Sequence, residues 1–234
     1  MDAHQRIGDA WRLRWDSLRL FTPALGDGLP GWAFPAAAWS YPTKDEMADY
    51  LEAYAARFAL PVVTGIRVDG VSRSGDGYLV TAGEHRFVSD NVVVATGAHQ
   101  TPHVPAFAAD LDPAIRQLHS AAYRGPAQLQ DGAVLLVGAG NSGADIAPGG
   151  GPDAPDVARR PPPRQIPWRI ERAAARPLNR LAFWAFAHVL TVRTPVGRAL
   201  RPRVLRHSGP LVRVKARRPR GRRRRACRSC HRRR

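Results

Sequence analysis

The sequence predicts an α/β fold, and three observations predict it. The first is Ala133 to Ala147, AVLLVGAGNSGADIA, where a short apolar run ends in Gly138-Ala139-Gly140-Asn141-Ser142-Gly143 and a helix-forming stretch follows. Strand, glycine turn and helix start are the context in which GxGxxG carries meaning. The second is Thr43-Lys44-Asp45-Glu46, a capping box, with Met47, Tyr50, Leu51, Tyr54 and Phe58 following at helical spacing. The third is a change to short strands and turns after Val62, closing on the apolar run Asn91 to Ala95.

Each glycine of the turn has its own physical task. Gly138 permits the tight bend, Gly140 lets the backbone approach a pyrophosphate, and Gly143 lets the helix lie close on the strand. The free N–H groups at the helix start then face the phosphates. The alternative is a tight strand-to-helix turn with no ligand.

Along the chain, Met1 to Pro42 reads as an aromatic-rich loop region with prolines at 23, 30, 35 and 42. The helix capped by Thr43 runs to about Leu60, where Pro61 stops it. Ser74-Gly75-Asp76-Gly77 is a turn, and Tyr78 to Thr81 with Arg86 to Val88 form a hairpin around Gly83. Asn91 to Ala95 reads as a buried strand ending at Thr96-Gly97, and a Pro-rich connection leads to about Pro126. This order predicts one nucleotide-binding domain inserted in another. The boundaries are 1–126, 127–215 and a tail, 216–234. Within the second part, residues 148–164, PGGGPDAPDVARRPPPR, cannot continue the helix begun at the glycine turn. Glycine costs about 1 kcal/mol and proline about 3 kcal/mol in a helix interior.

Composition narrows the function classes. The chain has 234 residues, a net charge of +17 and 44% apolar residues. No acidic residue follows Glu171, and arginine dominates from Arg213 onward. Such an end block reads as a disordered tail. It lacks the aromatics that stack on bases, so any nucleic-acid binding through it would be non-specific and salt-dependent. A non-catalytic basic protein is the second function class. The only cysteines, Cys227 and Cys230, stand in CxxCH spacing with His231 inside this tail, without the export signal or surrounding core a haem site needs and without four zinc ligands. Leu181 to Leu190 is too short to span a bilayer, and the N-terminus has no signal-peptide pattern, so a cytoplasmic chain without a membrane is expected.

Taken together, these segments resemble the flavin-containing monooxygenase-like family, which has two dinucleotide-binding domains. WRLRWDSLRLFTP is similar to the segment after the family's first glycine turn, YPTKDEMADYLEAYAARF to its next helix, and VVVATG to the strand returning to the FAD domain. His119 and Tyr123-Arg124 match part of an HxxxY-type linker, without the Phe-x-Gly usually before it. VGAGNSGADIA resembles the NADPH turn, and HVLTVRTPVGR and GPLVRVK resemble later parts of that domain. The fold implied is an incomplete two-domain flavoprotein, with a Rossmann-like NADPH domain and a partial FAD domain bearing a small antiparallel sheet.

The resemblance implies FAD and NADP as cofactors. Gly138, Gly140, Asn141, Ser142 and Gly143 would hold NADP, and Trp11, Arg12, Arg19, Thr96 and Gly97 would lie at FAD. For Trp11, Arg12 and Arg19 the alternative is a surface arginine beside a core tryptophan. The implied reaction passes hydride from NADPH to FAD, after which dioxygen oxygenates a small organic substrate. An oxidoreductase without oxygenation is the third reading. No side-chain nucleophile, acid–base pair or metal ligand is expected. The absence of CxxC beside the flavin region speaks against a disulfide reductase.

Three departures accompany the resemblance. The family's FAD glycine turn would precede Asp2, which falls at the place of the ribose-binding acid, so an inactive fragment is expected. Arg159, Arg160 and Arg164 lie at a plausible distance for a 2′-phosphate but in the aberrant segment, so no role is assigned to them. With freely chosen codons, a one-nucleotide shift turns 148–164 into LEVARTHPTWLAGRHPG, and 216 onward shifts to DDLAAAGVERAARA. Both strings resemble the family, and the coding DNA decides whether such a shift occurred.

Overall fold

Helix formation at the second predicted element follows from its cap. The computed structural model describes residues 1–97, 101–138, 140–147, 176–191 and 193–205. After a short helix α1 (Asp9–Arg12), the longest helix is α2 (Lys44–Arg57). Thr43 Oγ1 accepts the Glu46 N–H at 3.1 Å, and the Glu46 carboxylate accepts the Thr43 N–H at 2.7 Å. Such a cap contributes about 1 kcal/mol. The helix ends before Leu60, because Ala59 turns left-handed at φ 47° and Leu60 N–H closes on Ala55 O at 2.9 Å. This is a Schellman-type closure. Pro61 therefore acts upstream: it bars Leu60 from helical geometry, and the chain unwinds earlier than the expected stop.

Helix α2 is buried on two sides. Ala48, Tyr50 and Ala55 are buried, and Tyr50 packs with Phe34 and Ala24 while Trp32, Met47, Leu51 and Tyr54 cover them. The Tyr50 hydroxyl donates to Trp32 O at 2.6 Å and accepts the Leu29 N–H at 2.8 Å. A buried phenol with both functions satisfied fixes the 29–34 loop rather than penalising the core. Beside it, Lys44 is buried because its ammonium donates to Arg12 O at 3.1 Å and to Asp45 Oδ1 at 2.8 Å. The region read as loop thus contributes much of the core. Trp15, Leu18, Leu20 and Tyr123 form a second cluster, with Trp11, Met47, Leu129 and Ile146 packed on it.

The antiparallel sheet is three-stranded in the order β1 (Gly70–Ser74), β2 (Gly77–Ala82), β3 (His85–Ser89). Its registers close on Ser74↔Gly77 and Ala82↔His85. Gly75 at φ 60° and Gly83 at φ 58° stand first in the two-residue turns, the place where a type II′ hairpin requires glycine.

Two expected strands differ. Among the described residues, 91–97 and 133–138 belong to no strand, apart from an isolated bridge at Val137. Val93 is 87% exposed and Leu135 67% exposed, so neither run is the buried strand that its composition predicts. A parallel strand exists only beside a neighbour and beneath covering helices. Neither neighbour is among the described residues. Helix α3 (Asn141–Ile146) does leave the glycine turn, and α4 (Arg176–His188) and α5 (Pro195–Leu205) follow. The apolar stretch from Leu181 falls mostly in α4, where Leu181 and Trp184 are exposed. No described helix is long and apolar enough to cross a membrane. Residues 148–164 with Arg159, Arg160 and Arg164, and the tail with Cys227, Cys230 and His231, lie outside the described residues.

Candidate functional site

The three glycines of the turn differ in conformation and surroundings. Gly138 has φ 107°, a conformation in which a side chain would be strained. A Cβ on Gly143 would overlap the Gly138 carbonyl oxygen, so only glycine lets α3 sit this close to the run before the turn. Gly140 differs from both. It caps α3 in extended conformation at φ −74°, and among the described residues no atom lies within 4 Å of where its Cβ would stand. Open space above a backbone that leads into a helix start is what a close-approaching pyrophosphate needs. Asn141 and Ser142 occupy the first turn of α3 and are partly buried. The residues present therefore fit a dinucleotide phosphate.

Helix α3 is attached to the N-terminal segment. Trp15 Nε1 donates to Asp145 Oδ2 at 2.9 Å, both side chains being buried, and Ile146 packs on the cluster that contains Trp15. The linker residue Tyr123 belongs to the same cluster, and Asp16 N–H donates to Arg124 O at 2.8 Å. Burial, with the Asp16 carboxylate nearby, raises the Tyr123 pKa. The structure thus brings Trp11 and the glycine-turn helix to one cluster.

The other flavin-side residues have different surroundings. Arg12 donates to Ile7 O at 2.6 Å, Asp9 Oδ1 at 3.3 Å, Asp49 Oδ1 at 2.8 Å and Glu52 Oε2 at 3.1 Å. Its hydrogen bond to Asp49 leads the causes that raise its pKa. This guanidinium pins α1 to α2, with a side chain only 17% exposed. Arg19 donates to Tyr41 O at 3.0 Å. Thr96 and Gly97 lie in the exposed extended segment, Gly97 with φ 76° and open space around it. Sequence reasoning missed Trp15 and Asp145. The available signal was a lone carboxylate in the otherwise apolar GADIA.

At the N-terminus, Asp2 Oδ1 accepts the His4 N–H at 2.8 Å and meets His4 Nδ1 at 2.8 Å. Burial works against the charged carboxylate, but these His4 contacts outweigh it and lower the Asp2 pKa. The Glu52 carboxyl is lowered chiefly by its hydrogen bond to Arg6, at 2.7 Å. A carboxylate lowered on folding stabilises above its unfolded value and loses that contribution as pH falls through the folded one. The N-terminal attachment should therefore weaken below about pH 4. Asp27 opposes this, since burial raises its pKa and protonation favours it. Thermal midpoints measured across this range should fall in acid, and E52Q should flatten part of the fall. An identical acid profile for E52Q would contradict this assignment.

Comparison with known proteins places these features. A family model described as "Pyridine nucleotide-disulphide oxidoreductase" matches residues 29–149, just over half of the chain. An "Uncharacterized oxidoreductase CzcO-like" of Geobacillus kaustophilus is 49% identical over 142 residues, 61% of this chain and 41% of the relative. "Indole-3-pyruvate monooxygenase YUCCA1" of Oryza sativa is 30% identical over 151 residues, 63% of this chain and 37% of that protein. Among solved structures, a flavin-containing monooxygenase from Stenotrophomonas maltophilia superposes with a TM-score of 0.59 at 37% identity, covering 63% of this chain and 45% of the other. The chain thus spans about two-fifths of the length of the proteins it matches.

Proposed function

Because the chain belongs to the pyridine nucleotide-disulphide oxidoreductase family, we propose that it carries the nicotinamide-cofactor cradle of a flavin monooxygenase-type oxidoreductase, with residues 138–143 holding the pyrophosphate of NADP. The observation that carries this reading is the contrast among the three glycines: strained at 138, crowded at 143, open at 140. When bound, NADPH supplies hydride and FAD supplies oxygen activation. This chain's residues supply position: Gly140 admits the phosphates, the first turn of α3 presents N–H groups, and Gly143 seats that helix. FAD is the second cofactor of the reading, and a small organic molecule and dioxygen are its substrates.

The flavin-side residues support a narrower expectation. Arg12 is engaged by carboxylates of α1 and α2, and the segment ending at Thr96-Gly97 is exposed. Purified chain is expected to be colourless and not to oxidise NADPH. A yellow preparation holding stoichiometric FAD would overturn that expectation.

Gly140→Val tests the cradle. Nothing among the described residues opposes the new side chain, and φ −74° suits it, so the thermal midpoint should not move. The branched side chain fills the volume a pyrophosphate would enter, so calorimetric NADPH affinity should fall by about tenfold or more. Absent binding by the wild-type chain, or equal binding by G140V, refutes the cradle.

A further inference from the structure

We propose that the Trp15–Asp145 hydrogen bond is a latch that positions the glycine turn against the N-terminal segment, making both residues positioning residues for nicotinamide-cofactor binding. The proposal rests on the cradle reading for its cofactor and on separate observations for its latch.

The bond joins residues 130 apart in sequence, at 2.9 Å, with Trp15 4% exposed and Asp145 6% exposed. An indole N–H only donates, so burying it demands an acceptor. A buried carboxylate likewise demands donors. Each group therefore helps to make the other's burial tolerable. The location matters as much as the bond. Asp145 lies two residues beyond Gly143, in the same short helix, and Ile146 beside it packs on the Trp15 cluster. Helix α3 has six residues, too few to hold its own position in water. Among the described residues, the run leading into the turn pairs only through the Val137 bridge. The docking of α3 on the Trp15 cluster therefore helps to set the position of the turn. Trp11, from the segment that resembles the flavin side, packs on the same cluster. Occupation of the turn and order in residues 11–20 are then linked through this bond, and linkage is reciprocal.

Hydrogen exchange resolved by segment, paired with NADP+ titration, tests the latch. The variants are W15F, which keeps an aromatic ring, though a smaller one, and removes the donor; D145A, which removes the acceptor; D145N, which keeps an accepting oxygen; and the W15F/D145A double variant. In the free protein, W15F and D145A should each speed exchange across 141–147 by about tenfold or more while α2 is unchanged. The double variant should be no faster than the single ones, and D145N should stay near wild type. NADP+ affinity should fall in parallel in W15F and D145A and recover in D145N. In the wild-type chain, NADP+ should slow exchange in 11–20, and W15F should abolish that effect.

Unchanged exchange at 141–147 in both single variants would overturn the latch. So would equal acceleration in α2, which would mean a general loss of the core. Failure of the wild-type chain to bind NADP+ removes the cradle reading, and the comparison of free proteins still decides whether the latch exists. If W15F does not fold, D145A and D145N decide it from the other side of the bond.

Discussion

Gly8→Ala should destabilise the protein by about 3–5 kcal/mol, the sum of left-handed strain and overpacking. Gly8 precedes α1 with φ 88°, where an alanine is strained before any contact is counted. Its Cβ would then stand 2.6 Å from Ala48 O and 2.8 Å from Ala48 Cα. Ala48 is fully buried within α2, so these obstacles are helix backbone, not a side chain that can swing aside. Either α1 lifts from α2 or the helix deforms. Lifting α1 also pulls Arg12 from Asp49 and Glu52 and Lys44 from Arg12 O. The loss is a large share of a typical folding free energy. Denaturant unfolding measures it. A second variant sharpens the prediction: A48G removes only the Ala48 methyl, so it should not rescue G8A. A G8A protein within about 1 kcal/mol of wild type would refute the packing described.

Gly143→Val should lower NADPH affinity by about a hundredfold, equivalent to about 2.7 kcal/mol. It reaches this result by a route opposite to that of G140V. The Gly143 side chain would enter the Gly138 carbonyl, which belongs to the turn itself. The turn must open or α3 must swing away, and either change spoils the alignment of the helix start with the phosphates. G143V should therefore also accelerate hydrogen exchange in 141–147, whereas G140V should leave it unchanged. Exchange in α2 should not respond to either. Equal behaviour of the two variants in exchange would show that the glycines do not divide their tasks as the geometry indicates.

The features read correctly from sequence share a property: their causes lie within a few residues. Thr43 and Glu46 cap each other across one turn, so α2 was legible. The hairpins follow from Gly75 and Gly83 standing where a turn needs positive φ. The strained Gly138 and crowded Gly143 are also local, because the turn and its helix fold back within six residues. Illegible features have distant causes. Gly8 in QRIGDAW carries no turn signal; its need for hydrogen comes from Ala48, forty residues on. The partners of Arg12, Asp49 and Glu52, stand 37 and 40 residues away in sequence, so its ion pairs were not legible. The runs 91–95 and 133–137 have the composition of buried strands, but composition supplies no neighbour.

By itself the sequence determined the capped helix, the hairpin turns, the glycine bend and the family resemblance, since local sterics and short-range hydrogen bonds set all but the last. Only tertiary structure decided which residues hold that bend in place. Trp15 and Asp145 are both unremarkable in their own segments, and their pairing follows from the cost of burying an indole N–H without an acceptor.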